Sequence, residues 1–182
     1  RIIPLVIEEE KMQKACEVAG KEPIFRILPY QKKKAGIVTT GSEVYYHRIE
    51  DKFTPVVIEK LKECGVTEVK QIQCNDDHEM ITEAIQTLIE DGSDLIVCTG
   101  GMSVDPDDRT PLAIKNACTE VVTYGAPVLP GAMFMLAYCE KEGRQIPVMG
   151  LPGCVMYAKR TIFDLVLPRR SEERRVGKEC RS

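Results

Sequence analysis

The chain has 182 residues, 43% of them hydrophobic and 29% charged, with 13 Gly, 11 Pro and no Trp. That is enough apolar material for one domain of ordinary size, and it excludes wholesale disorder. A formal net charge of −3 argues against a protein that coats nucleic acid, which needs a basic face, and no apolar run approaches a membrane span or a secretory signal.

In chain order, residues 1–34 read as the remainder of an upstream β-α-β element: IIPLVI (2–7) is strand-like, Glu8 to Ala19 is helix-like, and PIFRIL (23–28) is strand-like again. A basic QKKKA stretch (31–35) leads into the main domain, expected over 35–169. AGIVT (35–39) predicts a buried strand. A helix from Thr54 to Cys64 follows, with Thr54 as N-cap, Pro55 in its first turn and Gly65 as its stop. EVKQIQC (68–74) predicts the next strand. Asp76 and Glu79 then form a capping-box pattern ahead of a helix whose inner face is Ile81, Ala84, Ile85, Leu88 and Ile89. DLIVC (94–98) is apolar throughout, as a doubly covered parallel strand should be. Thr110-Pro111 opens a helix to Cys118. Strand-like EVVTY (120–124), PVLPGAMFML (127–136) and QIPVMG (145–150) come next, and a last helix is expected from Cys154 to Leu167. This rhythm predicts an α/β fold, a three-layer sandwich with a mainly parallel sheet.

The last thirteen residues, RSEERRVGKECRS (170–182), follow no periodicity and resemble the in-frame translation of a DNA-sequencing adapter, so they are read as non-native. They carry five cations and three anions; without them the net charge is −5. Cys180 leaves with them. The remaining seven cysteines include no CxxC pair and no metal-ligand spacing, which predicts reduced, mostly buried thiols in a cytoplasmic protein.

Three of the strands run straight into glycine turns: TTGSE (39–43), TGGMS (99–103) and GLPGC (150–154). In a parallel α/β sheet the carboxyl ends of such strands share one edge, where ligands bind. Glycines let backbone amides approach a ligand, and helix N-termini add partial positive charge for anions. Acids collect nearby: Asp51, Asp76 and Asp77, then Asp105, Asp107 and Asp108. Carboxylates beside amide-lined loops suit Mg²⁺ bound together with a phosphate-bearing ligand. Other chemistries lack support. His47 and His78 sit in no metal pairing, Ser42 lacks the GxSxG elbow, and Cys154 has no visible general base. GxGxxG and GxxxxGK[ST] are absent.

The order TTGSEV, Asp51, TGGMSVDPDDRTP, PG at 130–131 and GLPG at 150–153 resembles the molybdopterin-binding domain. That domain is shared by molybdopterin adenylyltransferases, molybdopterin molybdotransferases and the competence-damage-inducible proteins. The resemblance implies a ligand-binding role for Thr40, Gly41, Ser42 and Glu43 (the TGDE loop, with Ser for Asp) and for Gly100, Gly101, Met102 and Ser103. It implies the same for Pro130 and Gly131 (PGKP) and for Pro152, Gly153 and Cys154 (LPGNP, with Cys for Asn). Asp51 and Asp108 are implied as catalytic groups and Mg²⁺ ligands. Ala132 stands where the family usually has Lys, which removes a cation for an anionic substrate, and the GGMSVDPDD form (100–108) resembles a divergent branch near the molybdotransferases. The implied activity is molybdenum cofactor biosynthesis: binding molybdopterin or its adenylylated form and supporting molybdate insertion or adenylyl transfer, with molybdate or ATP as partners and a homo-oligomeric state. The alternatives are a non-catalytic molybdopterin carrier and a nucleotide pyrophosphatase of the competence-damage-inducible type.

Overall fold

The structure, a computed structural model, describes residues 6–21, 30, 33–103 and 105–171. At the N-terminus a helix, α1 (Glu9–Ala19), buries none of its residues. It forms where periodicity places it. The strand expected at 23–28 lies outside the described residues, as does most of the one expected at 2–7; the described part of the latter, Val6 and Ile7, is not strand.

Six strands form one sheet: β1 (Lys33–Thr40), β2 (Val66–Cys74), β3 (Leu95–Thr99), β4 (Glu120–Tyr124), β5 (Met135–Lys141) and β6 (Arg144–Leu151), in the order β2-β1-β3-β6-β5-β4. The first four in that order are parallel, and β5 and β4 add an antiparallel edge. The helices are α2 (Ser42–Tyr45), α3 (Phe53–Glu63), α4 (His78–Glu90), α5 (Thr110–Ala117), α6 (Cys154–Tyr157) and α7 (Ile162–Ser171).

Strand alternation sends side chains to two cores. Ile37, Leu95, Val97 and Met149 face Val57 and Leu61 of α3 and Phe163 and Leu167 of α7. Val38, Ile96, Cys98 and Val148 face Ile81, Ile85 and Leu88 of α4 and Ile114 of α5. Central strands that must satisfy both layers are therefore apolar at every position, as LIVC is. The expected mainly parallel three-layer α/β sandwich is what forms.

Four local expectations are corrected. The N-cap of α3 is not Thr54: Asp51 Oδ1 accepts the amides of both Phe53 and Thr54 at 3.0 Å, and the Thr54 hydroxyl is buried against Thr39. A carboxylate able to take two amides outcompetes a hydroxyl that has a buried partner. The cap of α4 is Asp77, which accepts from Glu79 N and Met80 N, so Asp76 is released for another task. The apolar run 127–136 is mostly loop, with β5 starting only at Met135; a cis Leu129-Pro130 bond lies within it, and proline cannot donate to a ladder. The last helix is two helices. Lys60 Nζ donates to the Lys159 carbonyl at 3.0 Å, and Asp164 Oδ2 accepts from the Thr161 amide at 2.7 Å and its hydroxyl at 3.1 Å. The groups that would have carried the helix across 158–161 are thereby used elsewhere. Lys60 also pairs with Asp164 at 2.6 Å, with side chains only 10% and 6% exposed, which fastens α7 to α3.

Candidate functional site

The parallel strands β1, β3 and β6 are neighbours, so the TTGSE, TGGMS and GLPGC turns stand side by side at one edge of the sheet. From β1 the chain goes to β2 on one side, and from β3 it goes on to the β6-β5-β4 side. The gap between the ends of β1 and β3 is thus the topological switch point, where α/β sheets bind ligands. A cavity of about 580 Å³ opens there, lined by Thr39 and Thr40 from β1, Thr99 from β3 and Gly100 just after it, the stretch from Ile49 to Phe53, Val44 of α2, and Met156 and Tyr157 of α6. Its size suits a small-molecule ligand.

Register builds its floor. Thr39 and Thr99 are direct partners across β1 and β3 and point to the same face. The Thr39 hydroxyl is engaged: it meets Thr54 Oγ1 at 2.9 Å and accepts from Gln71 Nε2 at 2.9 Å. The Thr99 hydroxyl is not. Thr99 is 1% exposed, and its Oγ1 is the one buried side-chain polar atom among the described residues that finds no hydrogen-bond partner. Buried polar groups are almost always satisfied, so an orphan in a cavity wall points to a missing ligand or water. On the opposite face Thr40 Oγ1 lies 3.2 Å from Thr110 Oγ1, which donates to the Gly100 carbonyl at 2.9 Å. This ties the first loop, the second loop and the start of α5 together.

Asp51 lines the cavity. Gln71 Nε2 donates to its Oδ2 at 2.8 Å, while Oδ1 holds the start of α3. Burial pushes its carboxyl up, but hydrogen bonds from the Thr54 hydroxyl and amide, Gln71 and the Phe53 amide together outweigh that and hold it below the usual carboxylate range. A carboxyl lowered on folding stabilises the fold above its unfolded value, near pH 3.9, and that contribution is lost as pH falls through the folded value. Asp51→Asn is therefore expected to cost stability by an amount constant above about pH 5 and shrinking below about pH 4. Urea melts of both proteins across that range check this; a gap that widened with acid would contradict it.

Apart from Thr40 and Gly100, the other expected site residues do not line the cavity. Ser42 donates through its amide and hydroxyl to Asp76 Oδ2 at 2.9 and 2.8 Å, so Asp76 fastens the TTGSE turn to the end of β2. Gly41 sits at the turn into α2, and the Glu43 carbonyl accepts from the Arg48 and Ile49 amides. Asp108 Oδ2 accepts from Ser103 N at 2.5 Å and Ser103 Oγ at 2.7 Å, closing the second loop on itself. The Tyr124 hydroxyl caps that loop at the Ser103 carbonyl; burial first, then the charge of Asp108, pushes its phenol up. Gly101 packs beneath Thr110, and the Met102 side chain is buried in the core beside Gly150, so Met102 faces the loop only through its backbone. The 125–134 loop lies at the same edge, since β4 runs parallel to β6 through β5. There the Pro130 carbonyl accepts from Ile162 N, and Gly131 packs on Ile162 at the start of α7; Ala132 is exposed and Phe134 is core. Pro152 is buried, Gly153 is exposed, and Cys154 begins α6, two residues before Met156.

The cavity residues not anticipated are Thr39, Thr99, Val44, Ile49, Glu50, Lys52, Phe53, Met156 and Tyr157. Threonines ending two adjacent apolar strands were the available signal for the first two.

For Mg²⁺, the described residues contain no group of three or more His, Cys, Asp or Glu placed to hold a metal ion. The donor set present, Asp51 with a free lone pair on Oδ2 beside Glu50, fits a Mg²⁺ that arrives with a phosphate and keeps most of its waters. Asp108 does not line the same cavity.

The sequence pattern of the family described as "Probable molybdopterin binding domain" matches residues 36–171. The chain belongs to this family. Two solved structures share the fold. The tungsten cofactor synthesizing protein MoaB from Pyrococcus furiosus has a TM-score of 0.58 at 20% identity, over 79% of this chain and 89% of that one. The molybdopterin biosynthesis enzyme MoaB from Thermus thermophilus has a TM-score of 0.59 at 21% identity, over 75% and 91%. In sequence, a CinA-like protein from Mycobacterium avium is 34% identical over 95 residues, covering 52% of this chain and 22% of its own length. The chain therefore spans about a fifth of the curated relatives it matches. No described helix is long and apolar enough to cross a membrane.

Proposed function

We propose that this domain binds molybdopterin in the switch-point cavity in the service of molybdenum cofactor biosynthesis. The observation that carries this reading is the orphaned Thr99 hydroxyl in the wall of a cavity framed by the family's glycine turns. Val44, Ile49, Phe53 and Met156 offer apolar walls to a flat heterocycle, while the Thr99 hydroxyl, the Gly100 backbone and Lys52 offer polar partners to its phosphate. Mg²⁺, held through Asp51, would neutralise phosphate charge during adenylyl transfer or molybdate insertion, with Asp108 setting the shape of the second loop. Ala132 favours a second reading, a carrier that binds without turnover, because the family lysine would add a cation for an anionic substrate.

Calorimetry with molybdopterin and with ATP, each with and without Mg²⁺, tests both readings. Binding of molybdopterin with turnover in the presence of Mg²⁺ supports the enzyme, and binding without turnover the carrier. ATP binding alone would move the assignment to nucleotide pyrophosphate chemistry, and binding of neither would overturn the proposal. Thr99→Val sharpens the test. Removing an unsatisfied buried hydroxyl is expected to raise stability by about 1 kcal/mol while weakening molybdopterin about tenfold, the opposite signs expected of a ligand-facing orphan. A valine variant that binds molybdopterin as tightly as wild type would show that the hydroxyl does not face the ligand.

A further inference from the structure

Far from the cavity, two cysteines at the other end of α5 are placed for covalent chemistry. Cys118 Sγ lies 2.7 Å from Cys139 Sγ, about 0.7 Å beyond the roughly 2.04 Å of a disulfide bond. Backbone contacts hold them there: immediately after Cys118, the Thr119 amide and hydroxyl both donate to the Tyr138 carbonyl at 3.0 Å, and Glu120 pairs with Tyr138 across β4 and β5. Cys139 is 4% exposed and also donates to the Ala117 carbonyl at 3.3 Å, whereas Cys118 is partly exposed. We propose that Cys118 and Cys139 form a redox-active dithiol, an oxidative modification site that closes to a disulfide joining the end of α5 to β5.

The chemistry requires a small disulfide oxidant such as glutathione disulfide. The partly exposed Cys118 thiolate attacks one glutathione sulfur and releases the first glutathione as thiolate, which takes up the proton Cys118 lost. The Cys139 thiolate then attacks Cys118 Sγ and expels the second glutathione, which is protonated in turn. Two protein thiols are oxidised and one glutathione disulfide is reduced to two thiols. Cys74 and Cys98 cannot meet the oxidant, being only 1% and 0% exposed. Within the pair, the Cys118 thiol donating onto Cys139 holds Cys139 down and Cys118 up, so attack by the partly exposed Cys118 is the slow step and resolution by Cys139 the fast one. At the far end of the same helix Thr110 holds the Gly100 carbonyl, so the crosslink anchors the element that carries the second loop.

The test is peptide mapping of the folded full chain after equilibration with glutathione disulfide, with parallel thermal melts. The expected result is a crosslinked peptide pair containing Cys118 and Cys139, no lasting glutathione on either, and a melting temperature raised by about 5–10 °C. Cys139→Ala should instead retain glutathione on Cys118, and Cys118→Ser should lose both the crosslink and the thermal shift. Recovery of Cys118 and Cys139 as separate alkylated peptides from oxidised wild type would overturn the proposal, as would a glutathione adduct on wild-type Cys118 that never resolves.

Discussion

Replacing Asp164 by alanine is expected to destabilise the domain by about 3–5 kcal/mol, because it strands a buried ammonium. Lys60 and Asp164 meet at 2.6 Å with side chains 10% and 6% exposed. Without the carboxylate, Lys60 keeps only the Lys159 carbonyl, and Thr161 loses both bonds that start α7. The native pair is not a large net gain, since desolvating two ions offsets most of their attraction. The double change Lys60→Met with Asp164→Leu should therefore recover most of the loss, and urea midpoints of wild type and the two variants measure it. An Asp164→Ala cost below about 1 kcal/mol would mean that the pair is solvated, as surface pairs are. Burial pushes the Asp164 carboxyl up, but Lys60 and Thr161 together pull it below the usual range. The cost of Asp164→Ala should thus be fully present above about pH 4–5 and decline as acid titrates the native carboxylate.

The elements legible in the sequence are those whose determinants are local. LIVC and AGIV are apolar at every position because both faces are covered, and the glycine turns after them follow immediately in the chain. Together they reveal a parallel sheet and its ligand-binding edge. Where two nearby groups compete for one role, pattern alone does not choose: Asp51 and Thr54 both suit a cap, as do Asp76 and Asp77. The choice depends on partners such as Thr39, Gln71 and Ser42, which arrive from other strands and loops. The cavity follows the same rule. Thr99 gains its meaning only from its register with Thr39, 60 residues earlier, and Met156 only from the break that leaves α6 as a single turn beside α3. The antiparallel edge was hidden for the converse reason. In PVLPGAMFML the loop residues are nearly as apolar as the strand, and the 125–134 loop packs Val128 and Phe134 into the α3 and α7 core.

Gly100→Ala is expected to cost about 3 kcal/mol of stability and to weaken molybdopterin binding more than tenfold. Gly100 has φ +86°, a region that disfavours any residue with a Cβ. An added Cβ would also lie only 2.7 Å from Thr40 Oγ1 and closer still to the Thr40 carbonyl oxygen, so the second loop must lift off the end of β1. That movement displaces the floor between the two strands where the cavity opens, and it strains the Thr110 bonds to Gly100 and Thr40. Gly41→Ala provides the control. Gly41 also has positive φ, +132°, but a Cβ there meets nothing within 4 Å. It should therefore pay conformational strain alone, about 1–3 kcal/mol, and leave the cavity floor in place. Denaturant midpoints and molybdopterin calorimetry on both variants separate backbone strain from loop displacement. If Gly100→Ala bound molybdopterin as tightly as Gly41→Ala, the junction of β1 and β3 would not form the ligand's floor. A larger loss at Gly100 in both measurements ties the glycine of the second loop to the strand end it rests on, and through that contact to the ligand.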